Sequence, residues 1–447
     1  MANTVHLRVA TPWSFHWGAS RVEELAEQAA KDGIQALGMA DLNGLWGAVP
    51  FQKACDAHGV QPIFGARFLV EGIELQAIAM DEEGWGALCR LSSEVRFAGL
   101  PEEKAAAGIG RSRFLVERLA QESARGFALL ADDPLLLQEL KQARGPEDLY
   151  VRVRPINGGG VGVELAGKLQ LPPIAAPTVA FCQKEEYQRH RLLVAIGASV
   201  NLARLEENLA AKKLADRSAY LRNPEQLRLA YRYAPEALHG ANELAERCTW
   251  RIPIGIPRKP RFSVPAGRSA IAHLTRLCER GRRRRRTHWD RRYAEQLRRE
   301  LLLIAEQGMA DYFLIVADIV RWSREQQIQS CGRGSAANSL VSYLLGLTHV
   351  DPIRHELWFD RFMNPGRTDF PDVDLDFAWD ERDRVLDYVY RRHGKERVAM
   401  ISTHQTFAAR GAVRELAKAM GVPAAEIGSV TRALPWSHAG VLDPEEL

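Results

Sequence analysis

The amino-acid sequence predicts a multidomain α/β protein, and three features predict it. Short strand-like runs alternate with helical periods through the first 250 residues. A Pro/Gly-rich stretch interrupts the chain at 252–265. An arginine-rich helical region then leads to a strand in which aspartates alternate with apolar residues. At 447 residues the chain admits about three domains of ~150 residues each. With 46% hydrophobic and 26% charged residues, it has ample material for buried cores.

The first part reads as follows. A strand at 5–9 leads to a helix starting near Ser20, which can act as N-cap with Glu23 completing a capping box. Leu25, Ala29 and Ala30 supply its apolar face. A buried strand at 36–40, a helix at 49–58 and a strand at 62–70 follow. Units of this spacing predict a parallel sheet wrapped by helices, either open or closed as a barrel. Gly158-Gly159-Gly160 predicts a flexible turn. The prolines and glycines of 252–265 exclude regular helix or central strand, so the main boundary falls there. Beyond it, the basic run 282–286 lies in a long helical region, and 293–307 has helical spacing with Leu297, Leu301 and Ile304 on one side.

Charge is unevenly spread. Residues 1–250 carry 28 Lys/Arg against 31 Asp/Glu, whereas 251–447 carry 32 against 25. The basic excess sits where phosphates would be faced. The N-terminus has no basic segment leading into an apolar core, and no apolar run nears the ~20 residues of a membrane helix. Cys55, Cys89, Cys182, Cys248, Cys278 and Cys331 form no CxxC pair. That argues against zinc ribbons and disulfide frameworks, and fits a reducing, cytoplasmic setting.

Some patterns fall short of chemistry. Gly162 to Lys168 has the glycine and lysine spacing of a phosphate loop but presents Leu169 where a hydroxyl should hold magnesium, so a surface hairpin is the better reading. His58 and His190 lack a paired ligand and read as solvated or packed side chains.

The most informative segment is Pro371-Asp372-Val373-Asp374-Leu375-Asp376-Phe377. In a strand, all three aspartates line one face while Val373, Leu375 and Phe377 anchor the other. Like charges at that spacing repel, and a divalent cation such as Mg²⁺ removes the penalty. A calcium loop would need Gly sixth and Glu twelfth, where Phe377 and Asp383 stand. A solvated acidic strand without metal stays open as the plain alternative. About forty residues upstream, Gly332-Arg333-Gly334-Ser335 precedes a helical run, 336–346. Amides at such a helix start favour an anion, and Arg333 adds a charged donor. Together the two segments have the parts for nucleotidyl transfer by a two-metal mechanism.

At these residues the chain resembles the alpha subunits of bacterial DNA polymerase III, the C family, whose palm is of the beta-type nucleotidyltransferase group. The resemblance runs through Met309 to Val320, Gly332 to Ser335, Leu347-Thr348-His349-Val350-Asp351-Pro352, Phe359 to Pro365, the aspartate strand and 403–414, about 110 residues in all. Residues 1–250 resemble the PHP domain, a metal-dependent phosphoesterase fold of distorted (β/α)7 barrel type. Trp13-Ser14-Phe15 with Gly18-Ala19-Ser20 resembles the error-prone branch. The implied organisation is a PHP-like domain at 1–250, an incomplete palm at 251–403 and the start of a helical thumb at 404–447. The implied roles are Asp372 and Asp374 as catalytic Mg²⁺ ligands, Asp376 as a supporting residue, Gly334 and Ser335 on the incoming triphosphate, and Arg333 and Arg361 as electrostatic helpers. Implied partners are primer–template DNA, deoxynucleoside triphosphates and, through a C-terminal part beyond Leu447, replisome subunits such as the sliding clamp.

The sequence departs from the family pattern in two places. Where PHP enzymes carry metal ligands, Arg8, Val9 and Ala10 replace a His-x-His. Asp41 is followed by Leu42 and Asn43, Arg67 replaces an acid, and Thr178 to Phe181 replace an Asp-x-His pattern. The expectation is a structural PHP domain without bound metal or hydrolytic activity. The family's third catalytic aspartate and its fingers would lie beyond Leu447. The tail 441–447 has no terminal pattern and reads as a truncation, so this polypeptide alone is expected to show little polymerase activity. Competing classes are a PHP phosphoesterase, against which the lost ligands argue, and a non-catalytic polymerase relative that binds DNA or replisome partners through the run 282–286.

Overall fold

The computed structural model describes residues 4–98, 113–122, 125–155, 159–208, 213–256, 258–285, 288–366 and 370–434. The tail 441–447 lies outside these, as do Gly158 of the glycine turn and Arg286 of the basic run. The chain forms two compact units: residues 1–254 joined by 405–447, and residues 255–404.

The first unit alternates as the sequence predicts. Its elements are β1 (Val5–Val9), α1 (Val22–Lys31), β2 (Ala36–Met39), β3 (Asp41–Leu42), α2 (Ala48–His58), β4 (Gln61–Val70), β5 (Ile73–Ala79), α3 (Glu82–Ala98), α4 (Arg113–Gln121), β6 (Phe127–Ala131), α5 (Pro134–Arg144), β7 (Leu149–Val153), α6 (Gly159–Leu169), β8 (Pro173–Ala175), α7 (Tyr187–Gly197), α8 (Pro224–Ala230) and α9 (Pro235–Arg247). The sheet runs β1-β2-β4-β5-β6-β7-β8, with β3 also paired to β4. It curls, because the segment after β8 returns to β1: Val9 bridges Val179, and the Ala10 amide donates to the Val179 carbonyl at 2.8 Å.

The sheet is mixed rather than wholly parallel. β4 and β5 form an antiparallel hairpin, and β5 pairs antiparallel with β6. The cause is the two-residue turn Glu71-Gly72, both at positive φ (52° and 77°), which joins neighbouring strands with no room for a crossover helix. The strands are buried on both faces, as a helix-covered sheet requires, although His6, Arg8, Arg67, Glu74 and Arg152 place polar groups among them. One core cluster packs α3, α5 and α6 on the central strands, and a second packs Leu227, Ala237 and Leu244 of α8 and α9 against Leu7, Ile63 and Ile174.

Three local readings are corrected. Ser20 does not cap α1: its hydroxyl donates to Glu186 at 2.7 Å and accepts from the Cys182 amide at 2.6 Å. The helix instead starts after Arg21, whose amide donates to Glu24 rather than Glu23. Gly159 and Gly160 are helical, opening α6. That helix contains the whole Gly162 to Lys168 pattern, which is therefore neither hairpin nor phosphate loop; Lys168 pairs with Glu164 one turn back at 2.6 Å. His190, by contrast, is a packed side chain, as one of its two readings expected, between the Trp17 carbonyl at 2.7 Å and the Ala215 amide at 2.9 Å.

The second unit holds α10 (Ala270–Arg285), α11 (Arg291–Glu306), α12 (Ala310–Glu325), β9 (Ser330–Arg333), α13 (Leu340–Leu345), β10 (Asp374–Phe377) and α14 (Arg382–His393). Its core gathers Leu274, Cys278, Ile304, Phe313, Leu344 and Phe362. β9 and β10 form a two-stranded antiparallel sheet. The last helices, α15 (Ala409–Met420) and α16 (Ala424–Ala433), belong to the first unit, where Ala419 packs with Val194 and Ala195 of α7.

The basic run is partly structural. Arg284 donates to the Leu344 carbonyl at 2.9 Å, and Arg285 donates to the Tyr343 and Thr348 carbonyls at 2.9 Å and 2.6 Å. Both cations sit at the negative end of α13. Among the described residues all six cysteines are free thiols, and no helix is long and apolar enough to cross a membrane.

Candidate active site

The aspartate strand forms in the predicted register. β10 starts at Asp374, with Asp372 just before it, and exposure alternates along the segment: Asp372, Asp374 and Asp376 are exposed while Val373 and Leu375 pack on the core. Asp374 faces Arg333 across the sheet and Asp376 faces Cys331. The three carboxylates and the arginine therefore share one face. Arg333 reaches diagonally to Asp376 at 3.3 Å. That contact separates the aspartates into two classes: Asp376 has a cation, whereas Asp372 and Asp374 have no hydrogen-bond or ion-pair partner among the described residues.

The Gly-Arg-Gly-Ser segment is dictated by space. A side chain on Gly332 would meet the Leu347 carbonyl oxygen at 2.5 Å, since the Gly332 amide donates to that oxygen at 2.6 Å. Gly334 has φ +69°, and a Cβ there would stand 3.4 Å from the Asp374 carboxylate. The turn thus lies directly beside one of the two unpaired aspartates. Ser335 is half-buried in the same turn. Arg361 is exposed at the end of the turn Phe359–Arg361, which packs beside the Gly334–Asn338 turn.

The helix expected after Ser335 is broken. Gly334–Asn338 is a 3₁₀ turn, Ser339 is extended, and α13 begins only at Leu340. The reason is a buried acid that sequence reasoning missed. Glu300 of α11 accepts the Leu340 and Val341 amides at 2.9 Å and 3.0 Å and the Ser339 hydroxyl at 2.8 Å. Burial pushes its carboxyl up, and the four groups that donate to it, Gln296 included, pull against that. The start of α13 is closed by this carboxylate, so phosphate-facing amides are confined to the glycine turn. The signal was present: Glu300 stands in the apolar register of α11, seven residues after buried Tyr293 and four before buried Ile304.

A second missed residue positions the strand. The Val373 amide donates to the Tyr312 hydroxyl at 3.0 Å, pinning the backbone between the two unpaired aspartates. Burial raises the Tyr312 phenol, and the Asp372 and Asp374 charges add to the rise. No periodicity in the sequence flagged Tyr312.

The first unit treats its charges differently. Arg8, Arg67 and Arg152 are buried and converge on Glu74, at 2.5, 3.4 and 3.5 Å; Arg152 and Arg154 also pair with Asp132 at 2.6 and 2.7 Å. Arg8 further donates to Thr178, and Arg67 to the Ala40 carbonyl, both at 3.0 Å. Burial alone would raise the Glu74 carboxyl, but the three guanidiniums hold it far below its ordinary value. Asp41 is fully buried and saturated by the Thr11 amide and the Thr11 and Ser14 hydroxyls at 2.6 to 2.8 Å. Burial pushes its carboxyl up. Among the described residues, no three His, Cys, Asp or Glu side chains are grouped to hold a metal ion.

Comparison with known proteins adds the relatives. Residues 6–146 match the PHP domain family, and residues 272–445 match the bacterial DNA polymerase III alpha NTPase domain. The error-prone DNA polymerase of Symbiobacterium thermophilum is 35% identical over 98% of this chain and 42% of its own length. The DNA polymerase III alpha subunits of Halalkalibacterium halodurans and Bacillus subtilis are each 34% identical, over 96% and 98% of this chain and 40% of theirs. The chain thus spans about two fifths of the relatives it matches, and the replicative and error-prone names stand at nearly equal identity.

Proposed function

We propose, from its similarity to bacterial DNA polymerase III alpha subunits and error-prone DNA polymerases, that this chain supplies the triphosphate- and metal-holding part of a DNA-directed DNA polymerase. The reaction would be template-directed transfer of a nucleotide to a primer 3′-hydroxyl, in cytoplasmic replication or error-prone repair synthesis. On this reading residues 251–403 act as palm, 404–447 begin the thumb, and 1–250 serve as a PHP-like scaffold. Primer–template DNA and deoxynucleoside triphosphates would be the substrates, and replisome subunits such as the sliding clamp the partners.

One observation carries the reading: of two exposed aspartates without protein partners on one face, Asp374 lies beside a glycine turn of positive φ. Two hard carboxylates suit Mg²⁺, which commonly takes one or two protein oxygens and completes its shell with water and substrate phosphate. Asp372 and Asp374 would hold it. When bound, Mg²⁺ would lower the pKa of the attacking hydroxyl and neutralise charge on the transferring phosphate. The chain's own groups do the positioning. Gly334, lacking Cβ, leaves open the space next to Asp374. The turn amides and the Ser335 hydroxyl can donate to phosphate oxygens. Arg333, steered by Asp376, keeps a guanidinium on the carboxylate face, and Arg361 adds positive charge from the neighbouring turn. Tyr312 fixes the strand so that both carboxylates stay on that face.

The test is binding of a fluorescent deoxynucleoside triphosphate to this chain, titrated with Mg²⁺. Mg²⁺-dependent binding, weakened tenfold or more in Asp374→Ala, is the expected result. Binding that ignores both Mg²⁺ and the substitution contradicts the reading.

A further inference from the structure

A strongly basic surface of the second unit lies outside the aspartate strand. It is the solvent face of α10, where Arg276, Arg280, Arg282 and Arg283 are exposed and Glu279 is the helix's sole acid. Among the described residues none of these arginines pairs with a carboxylate. An arrangement selected only for solubility would intersperse acids, as α11 does with Arg291–Glu295 at 2.5 Å. His273 reports the same field: burial lowers its ordinary value, and Arg268, Arg280, Arg276 and Arg321 lower it further.

Beside this face, between α10 and α11, lies a hollow of about 350 Å³ lined by Trp289, Ala294, Leu297 and Leu301, with Arg282, Arg298 and the acid Glu279 at its edge. Arg282 lies over the Trp289 ring at 4.6 Å, and Arg298 is exposed on the other wall. An apolar floor holding an indole, rimmed by one acid and by two arginines without carboxylate partners among the described residues, suits a flat aromatic group that carries negative charge outside the hollow. Unstacked nucleobases have that character, whereas bases in a duplex are sealed in their stack.

We propose that the exposed face of α10 and the Trp289 hollow together bind single-stranded nucleic acid, the arginines on successive phosphates and the hollow on one unstacked base. Arg276, Arg280 and Arg283 extend along about 10 Å of helix, enough to follow a strand rather than a single anion. The surface is chemically separate from Asp372 and Asp374 and needs no metal, so it stands whether or not the polymerase reading holds.

The experiment measures fluorescence anisotropy of a labelled twenty-residue oligothymidylate with the full chain in EDTA, across a salt series. Arg276→Ala/Arg280→Ala/Arg283→Ala should weaken binding tenfold or more and flatten the log–log salt slope by about 2, at roughly 0.7 per phosphate contact. Trp289→Ala should remove the preference for the single strand over a duplex of equal length, and Trp289→Phe should restore it. Asp372→Ala/Asp374→Ala should bind the oligonucleotide as the unaltered chain does. Equal affinity for duplex and single strand, equal competition by inorganic polyphosphate, or an unchanged salt slope in the triple variant would each overturn the proposal.

Discussion

The two units contain similar chemistry in opposite states. In the curled sheet, Arg8, Arg67 and Arg152 surround Glu74, and Asp41 accepts three donors; every carboxylate there is engaged. Asp372, just before β10, and Asp374 on it are exposed without protein partners, although half-buried Val373 and Leu375 pack the segment against the core. A charge cluster satisfied from within is part of the scaffold, because an arriving ion would have to displace existing bonds. One held rigid and left unsatisfied is ready for a ligand. By that criterion the Glu74 and Asp41 clusters belong to the scaffold, and Asp372 and Asp374 are the groups proposed above to take a ligand.

The contrast can be broken most forcefully at Glu74. Glu74→Ala leaves three buried guanidiniums facing one another, and removing one partner of a buried ion pair costs about 3–5 kcal/mol. Urea unfolding should show a loss of that size, and a loss below about 1 kcal/mol would mean the network is not structural. Acid should act in the same direction. Glu74, held below 4.5, contributes stability that is present above that value and lost as pH falls through its folded value. His6, buried against the Arg222 carbonyl at 2.8 Å, is lowered from 6.5 to about 4, chiefly by burial. Its contribution is full above pH 6.5 and is lost as pH falls towards 4, by about 3 kcal/mol at 1.36 kcal/mol per unit. Thermal melts across that window should decline with acid, and less so in His6→Gln; melts flat from pH 7 to 4 would contradict this.

At the aspartate strand the stability effects should be smaller and the ligand effects larger. Gly334→Ala forces a side chain into φ +69°, at a cost of about 1–2 kcal/mol, and sets a methyl beside Asp374. Nucleotide affinity measured by calorimetry should drop tenfold or more; unchanged affinity would remove the turn from the site. Asp376→Asn breaks only an exposed pair with Arg333, so chemical unfolding should move by less than about 1 kcal/mol. A larger shift would make Asp376 part of the scaffold and blur the distinction.

What the sequence revealed follows the same division. Alternation of Asp with Val, Leu and Phe is a local, period-two signal, and it placed Asp372, Asp374 and Asp376 on one face before any coordinates. The glycines of 332–335 were equally legible, since positive φ and close backbone approach leave few other residues eligible. Strand and helix positions in the first unit came from the same kind of signal. The partners that act across long sequence separations were not legible. Glu300 caps a helix forty residues away, Tyr312 supports a strand sixty-one residues on, and Arg8 meets Glu74 across sixty-six. Ser20 failed as a cap for the same reason, its hydroxyl being claimed by Glu186 and Cys182 from beyond β8. The β4–β5 hairpin was written in Glu71-Gly72, but strand–helix alternation outweighed it in the reading.

The most direct measurement is anomalous diffraction from crystals of this chain soaked in Mn²⁺ with a deoxynucleoside triphosphate. The account predicts manganese density between Asp372 and Asp374 and none beside Asp41 or Glu74. Density at the curled sheet, or an empty aspartate strand at saturating manganese, would contradict it.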